Sequence, residues 1–180
     1  MFYKTDRISL RQVEPTDAHI IYKWENDTEI WHVSDTVVPY SFYQIEQFII
    51  NSEDIYASKQ IRLMIDCIEQ NQNYAIGAID IYDFDPQHHR AGIGIVVEAS
   101  ARHKGYANEA MELLEQYCFT FLGLHQIYCF IAIQNQQSIA LFTKRGYVHT
   151  GTRKDWLLQD GRWIDQLHFQ LINPNPLVQD

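Results

Sequence analysis

The residues best grouped to do chemistry are Arg102-His103-Lys104-Gly105-Tyr106-Ala107. They follow the apolar run Ile93-Gly94-Ile95-Val96-Val97 and precede a helical pattern running from Asn108 to about Phe121. Strand, glycine turn and helix, in that order, present an anion with the N–H groups of a first helical turn. Those groups have no internal partner and lie at the positive end of the macrodipole. Gly105 has no Cβ, so a phosphate can approach its backbone, and Arg102 and Lys104 add full positive charges. A pyrophosphate-bearing ligand suits that combination. The same six residues are also compatible with an ordinary strand-to-helix turn, and the rest of the chain decides between the two.

A second candidate is Asp80, in the segment Tyr74–Phe84. Strand alternation places it on one face with Ile76, Ala78 and Tyr82. A solvated strand carboxylate is the competing role. Asp83 and Asp85 read as turn residues, and His103 as a loop residue beside the anion. His88 and His89 are neighbours on an extended chain and point to opposite faces, so they do not share a metal ion, and no metal is expected. Cys67, Cys118 and Cys129 sit in apolar periodic segments without metal-type spacing and read as buried, reduced thiols. Trp24, Trp31, Tyr40, Tyr43, Trp156 and Trp163 are able to line a cleft, although core or rim packing is the commoner fate of such side chains.

The elements that must position these groups follow from periodicity. The chain has 180 residues, 46% of them hydrophobic and 21% charged, which is the composition of one globular domain over 1–180. The core is expected over about 7–172, with a loose tail at 173–180. No apolar run is long enough to cross a membrane and Met1–Arg7 lacks a signal-peptide core, so the expectation is a cytoplasmic protein without a membrane partner. The net charge of −9 argues against nucleic acid and agrees with a cationic substrate such as an amine.

Ile8–Val13 alternates as an opening strand, and Glu14-Pro15-Thr16-Asp17 reads as a helix start. Ser41 with Gln44 forms a capping box for a second helix. Ile61–Ile68, Tyr74–Phe84 and Arg90–Val97 read as three strands whose short connections make an antiparallel meander. Ala107, Ala110, Met111, Leu114, Cys118 and Phe121 form one helical stripe, with Glu109, Glu112 and Glu115 on a solvated face. The apolar run Gln126–Ile133 then closes a βαβ-like crossover with parallel ends. A short helix over Gln136–Lys144 and two strands, Tyr147–Leu158 and Trp163–Ile172, joined at Asp160-Gly161, complete the chain.

The stretch Asn135-Gln136-Gln137-Ser138-Ile139-Ala140-Leu141-Phe142-Thr143-Lys144-Arg145-Gly146-Tyr147 begins 33 residues beyond Arg102. Together the two stretches resemble the acyl-CoA pyrophosphate loop, strand-end asparagine, short helix and Lys-x-Gly-aromatic element of the GNAT acetyltransferases. Leu10-Arg11, Asp17, Arg153-Lys154-Asp155-Trp156 and the "DGR" hairpin around Asp160-Gly161-Arg162 resemble one branch of that family. This branch holds the ribosomal-protein N-terminal and the spermidine acetyltransferases. The likeness covers about residues 7–172, and Asp27–Tyr40 is the least similar part.

The resemblance implies an α+β (mixed α/β) fold. Its central twisted sheet would have about six or seven strands, mostly antiparallel with a splayed parallel pair, flanked by about four helices. It implies an acetyl-CoA-dependent N-acetyltransferase working by direct attack in a ternary complex, with acetyl-CoA as co-substrate. The acceptor would be a primary amine, either a protein or peptide N-terminus or a small molecule. Spermidine is the alternative acceptor, although Val37-Val38-Pro39-Tyr40 stands where spermidine enzymes carry acidic residues. Glu25, Asp27, Glu29 and Asp35 remain nearby. The backbone of Ile95, Val96 and Val97 would pair with the pantetheine amides. The N–H groups of Arg102, His103, Lys104, Gly105, Tyr106 and Ala107 would hold the pyrophosphate, with Asn108 beside it. Asn135 would bond the pantetheine arm, with Ser138 one turn onward. Asp80 would serve as base. Phe142 stands where many relatives carry a tyrosine acid, so either Ser138 replaces it, or the thiolate leaves unaided, or the protein is a regulatory acyl-CoA-binding module. A homo-oligomer stays open.

Overall fold

The computed structural model describes residues 3–31, 38–51, 54–69 and 72–175. Asp35 and Val37, in the segment expected near the acceptor, lie outside the described residues, as do residues 176–180 of the expected loose tail. Among the described residues, eight strands form one sheet. They are β1 (Tyr3–Lys4), β2 (Ile8–Gln12), β3 (Ile61–Cys67), β4 (Tyr74–Asp85), β5 (Arg90–Val97), β6 (Gln126–Ala132), β7 (Val148–Gln159) and β8 (Arg162–Ile172). Their spatial order is β1-β2-β3-β4-β5-β6-β8-β7. Neighbours are antiparallel except β5 and β6, which are parallel. The strand beyond the expected number is β1, whose two residues are too few to show alternation. The β7–β8 hairpin turns on Asp160 (φ 50°) and Gly161 (φ 73°), the left-handed pair that an Asp-Gly turn requires.

Among the described residues, four helices exceed one turn: α1 (Ala18–Glu25), α3 (Phe42–Ile50), α5 (Tyr106–Gln116) and α6 (Gln136–Lys144). Two single turns, α2 (Thr28–Trp31) and α4 (Ile55–Ser58), join them. The capping box is formed: Ser41 Oγ accepts the Gln44 N–H, and the Gln44 side chain accepts the Ser41 N–H. The long central helix ends earlier than its stripe, and Tyr117–Phe121 widens into a π turn.

The sheet carries helices on both faces. Ile8, Leu10, Leu63, Ile65, Ile79, Ile81, Ile93 and Ile127 pack with Met111 and Leu114 of α5. On the other face Met64 and Ala78 pack with Ala18, Ile21 and Trp24 of α1 and Ile45 and Ile49 of α3. Ile76 departs from the expected alternation. A bulge opposite Ile65 and Asp66 shifts the register there, and Ile76 joins the α5 cluster while Ala78 faces α1.

Of the acidic stripe of α5, Glu112 is solvated as expected, but Glu109 and Glu115 are not. Glu115 is buried and ion-paired with Arg145, and Glu109 pairs with Arg7. A cation arriving from β2's approach and another from the end of α6 turned two apparently free carboxylates into tertiary contacts, which no local pattern signals.

β5 and β6 are joined only at Arg90–Gln126, Ala91–Ile127 and Gly92–Tyr128. Beyond Gly92 the two strands part, and Ile93–Val97 are paired on the β4 side alone. The sheet is therefore split along more than half the length of β5, between its two parallel strands.

Candidate functional site

At the far end of the split, β5 passes through a 3-10 turn (Ala99–Ala101) into the glycine loop. His103 (φ 62°) and Gly105 (φ 87°) are both left-handed. Alternating handedness of this kind curls successive N–H groups toward one point, a concavity suited to an anion. The helix's own bonding begins with the Asn108 N–H donating to the Gly105 carbonyl at 3.1 Å, so the N–H groups before it face out of the helix end. His103, Lys104 and Gly105 are exposed, while Tyr106, Ala107 and Asn108 are half-buried. Arg102 is partly committed, because its Nε donates to the Val97 carbonyl at 2.9 Å. That bond ties the loop to the end of β5.

Arg7 holds the loop from behind. Its Nη2 donates to the Lys104 carbonyl at 2.6 Å, its Nε lies 3.0 Å from Glu109, and its guanidinium stacks 4.6 Å from the Tyr106 ring centroid. With the Lys104 carbonyl turned toward Arg7, the loop's N–H groups are left for the opposite side. The sequence carries no local signal for this, since Arg7 lies 97 residues before Lys104.

Ile95, Val96 and Val97 are half-buried in the middle of the sheet. Their free edge borders the split, where backbone groups without a strand partner are available to an extended ligand. Tyr82 and Tyr128 flank the point where the strands part. A Cβ built on Gly92 would fall 2.2 Å from the Tyr82 ring, and one on Gly94 3.9 Å from it. Two glycines on one face of β5 thus let this ring lie across the strand, with the Tyr128 ring edge-on at 6.2 Å. The alternation Gly92-x-Gly94 was the available sequence signal for a close approach. Burial raises the Tyr128 phenol above its ordinary pKa, so it stays protonated at neutral pH.

Asp80 faces a cleft of about 400 Å³ between the sheet and α1 and α3, lined also by Glu25, Tyr40, Gln44, Phe48, Arg62 and Tyr82. Asp80 stands opposite Arg62 in the β3–β4 register. Both its oxygens accept from that guanidinium, at 2.7 and 2.9 Å. Arg62 Nη1 also bonds Glu25 at the end of α1. Burial opposes the charge on Arg62, but Asp80 and Glu25 outweigh it and raise its pKa, so the guanidinium is charged throughout. Sequence reasoning placed Asp80 and Glu25 near an acceptor and missed Arg62, whose partner is set by strand register.

Asn135 caps α6, its Oδ1 accepting the Ser138 N–H at 3.1 Å. The capping role and a ligand role coexist, because the cap uses the oxygen and leaves the amide N–H₂ as donor. Ser138 is half-buried on the first turn of α6. Phe142 is 3% exposed and packs edge-on against Tyr147 at 4.9 Å, so this position supplies packing and no proton. Cys67, Cys118 and Cys129 are free and buried, as expected.

A sheet parted between two parallel strands, an anion corner at one end and a charged cleft beside it make the layout of a group transferase that takes its donor through the sheet. The acetyltransferase (GNAT) domain matches residues 7–148, and the chain belongs to that family. It is accordingly an N-acetyltransferase that uses acetyl-CoA. The spermidine N(1)-acetyltransferase of Vibrio cholerae serotype O1 is 25% identical over 88% of this chain and 89% of its own length. The uncharacterised N-acetyltransferase p20 of Bacillus licheniformis is 27% identical over 93% and 94%. Among solved structures, spermidine N-acetyltransferase from Vibrio cholerae in complex with CoA and spermine superposes with a TM-score of 0.84. It is 24% identical, over 93% of this chain and 96% of that one, and shows the shared fold. A dodecameric structure of the Vibrio cholerae enzyme in an intermediate state gives 0.78 at 22% identity, over 93% and 95%.

Proposed function

We propose that this chain acetylates a primary amine bound in the cleft between α1, α3 and the β3–β4 strands, by direct attack on acetyl-CoA lying in the split. The observation that carries the reading is the split itself: it starts beside Tyr82, a lining residue of the cleft, and ends at the anion corner. The residues present fit such a donor. The free edges of Ile95, Val96 and Val97 suit the pantetheine amides, and the N–H groups of Arg102–Ala107 suit the pyrophosphate, with Arg102, Lys104 and Asn108 beside it. The Asn135 amide would bond the pantetheine arm.

The bound donor supplies an acyl thioester, and the chain's residues handle the amine and its protons. The acceptor arrives as an ammonium. Asp80 uses two lone-pair positions on Arg62 and offers the remaining two to that ammonium. One ammonium proton passes to Asp80, directly or through water, and frees the nitrogen lone pair for attack; the nitrogen sheds its second proton to solvent as the tetrahedral adduct collapses to the amide. The carbon–sulfur bond breaks and the departing thiolate takes a proton from Ser138 or from solvent, since Phe142 has none to give. Both partners react within one complex, so no cysteine or serine nucleophile is invoked.

The acceptor is a small amine or a protein N-terminus. The relatives named for spermidine support a polyamine reading, and Phe142 supports a regulatory acyl-CoA-binding module with little turnover. CoA release measured across monoamines, spermidine, spermine and short peptides separates the three. The expected result is CoA formed only when an amine is present. Tight binding of acetyl-CoA with no release for any acceptor would put the module in place of the enzyme.

A further inference from the structure

We infer that the buried Glu115–Arg145 pair is a positioning device for the donor: it fixes where α6 sits against α5, and so where Asn135 meets the pantetheine arm. The inference rests on the proposed placement of that arm at Asn135. On that placement, α5 and α6 carry two parts of the donor site, the anion corner at the start of α5 and Asn135 at the start of α6. Apolar contact alone holds α6 thinly. Among the described residues, Phe142 is the one buried side chain of this helix, with Ile139 and Leu141 half-buried against the core. At the far end of α6, Arg145 engages Glu115 with two arms of its fork. Its Nε donates at 3.2 Å, and Nη2 makes a second bond to the other carboxylate oxygen. The pair is largely out of solvent, with 18% and 9% of the two side chains exposed. Arg145 Nη1 also lies 3.6 Å from Glu112, one turn earlier on α5.

Stability explains such a bond poorly. Burial raises the Glu115 carboxyl above its ordinary pKa, and Arg145 offsets only part of that. Desolvation cancels much of the attraction in a buried ion pair, and apolar side chains of similar volume often hold a fold as well. What apolar side chains do not supply is direction: a two-bond fork admits one geometry, whereas an apolar contact admits several. The lever is long enough for this to matter. The nine residues of α6 span about 13 Å, so a tilt of about 5° at the Arg145 end moves Asn135 by about 1 Å. A shift of that size takes a hydrogen-bond donor off its acceptor.

The test separates stability from placement. Thermal unfolding of the full chain is measured beside calorimetric binding of CoA and of 3′-phospho-ADP, the nucleotide half of CoA, which lacks the pantetheine arm. Glu115→Met and Arg145→Met each strand a buried charge and are expected to lower the melting temperature. The double variant E115M/R145M is expected to melt near the wild type, yet to bind CoA about tenfold more weakly with 3′-phospho-ADP unchanged. Arg145→Lys keeps the charge without the fork and is expected to show the same selective loss, less steeply. If the double variant does not fold, Arg145→Lys alone decides. CoA binding that recovers together with the melting temperature in E115M/R145M, or an equal weakening of both ligands, overturns the inference and leaves the pair a structural contact. Asn135→Asp keeps the cap and removes the donor. If that variant binds CoA as the wild type does, the placement of the arm fails and takes the inference with it. Absence of acetylation for every amine would strike the enzymatic reading instead, and these binding measurements would still decide the role of the pair.

Discussion

Gly92 matters through what it lacks. The Tyr82 ring occupies the volume a Cβ would fill, 2.2 Å from its nearest atom, at the last paired position before β5 leaves β6. A methyl group there must push the ring aside, and the obstacle is the far end of a rotatable side chain, so the strand itself can survive. Gly92→Ala is expected to fold with a stability loss of about 1–3 kcal/mol. Its kcat/KM for acetyl-CoA is expected to fall roughly tenfold to a hundredfold, because a displaced ring blocks or reshapes the mouth of the split. Tyr82→Phe keeps the ring and removes only the phenol, so a smaller loss in that variant assigns the effect to shape. Steady-state kinetics with thermal unfolding on both variants checks this. Unaltered kinetics in Gly92→Ala would remove the Tyr82 ring from the site.

At the scale of elements, the start of α5 is held from outside its own helix. The loop from Arg102 to Gly105 is tied forward to β5 through the Val97 carbonyl and backward to Arg7 through the Lys104 carbonyl. Arg7 is thus a positioning residue for an anion corner that it does not itself form. Arg7→Met removes the hydrogen bond, the ion pair to Glu109 and the stacking on Tyr106 together. The expected outcome is a rise in KM for acetyl-CoA of roughly tenfold, with KM for the amine and kcat little changed. Arg7→Lys keeps a charge near Glu109 but not the fork, and is expected to rescue only part of the loss. An unchanged KM for acetyl-CoA would show that the loop holds its shape alone. This element also marks the reach of sequence reading. The glycine, the helix stripe and the parallel crossover were legible because each is a local pattern. Arg7, Arg62 and the pairing of Glu115 with Arg145 were not, because each joins segments that only the folded sheet brings together. The bulge at Ile76 was hidden for the same reason: it is a property of two strands and leaves no mark on one.

For the molecule as a whole, the acceptor cleft is only as well placed as α1, whose last residue is Glu25. The first end of α1 is anchored by Asp17. Arg11 on β2 donates to both Asp17 oxygens at 2.6 and 2.8 Å, and to Asp66 on β3 at 2.7 Å. The Glu14 N–H adds a third bond to Asp17 at 2.8 Å. Burial alone would raise the pKa of Asp17, but the bonds from Arg11 and Glu14 outweigh it and hold the carboxyl below its ordinary value. The native state therefore binds fewer protons here than the unfolded chain does. Asp17 contributes stability at pH values above the ordinary carboxylate pKa of about 3.9, and that contribution is lost as the pH falls through the lower native value. Urea unfolding between pH 7 and pH 3 is expected to show stability declining below about pH 4. Asp17→Asn leaves Arg11 half-paired and is expected to cost about 2–3 kcal/mol at pH 7 while flattening the acid slope. Because the anchor lies on the α1 side of the sheet and the anion corner on the α5 side, the same variant is expected to weaken amine binding more than acetyl-CoA binding. An acid slope identical in Asp17→Asn and wild type, or equal losses for the two substrates, would show that α1 keeps its seat through the apolar contacts of Ala18, Ile21 and Trp24 instead.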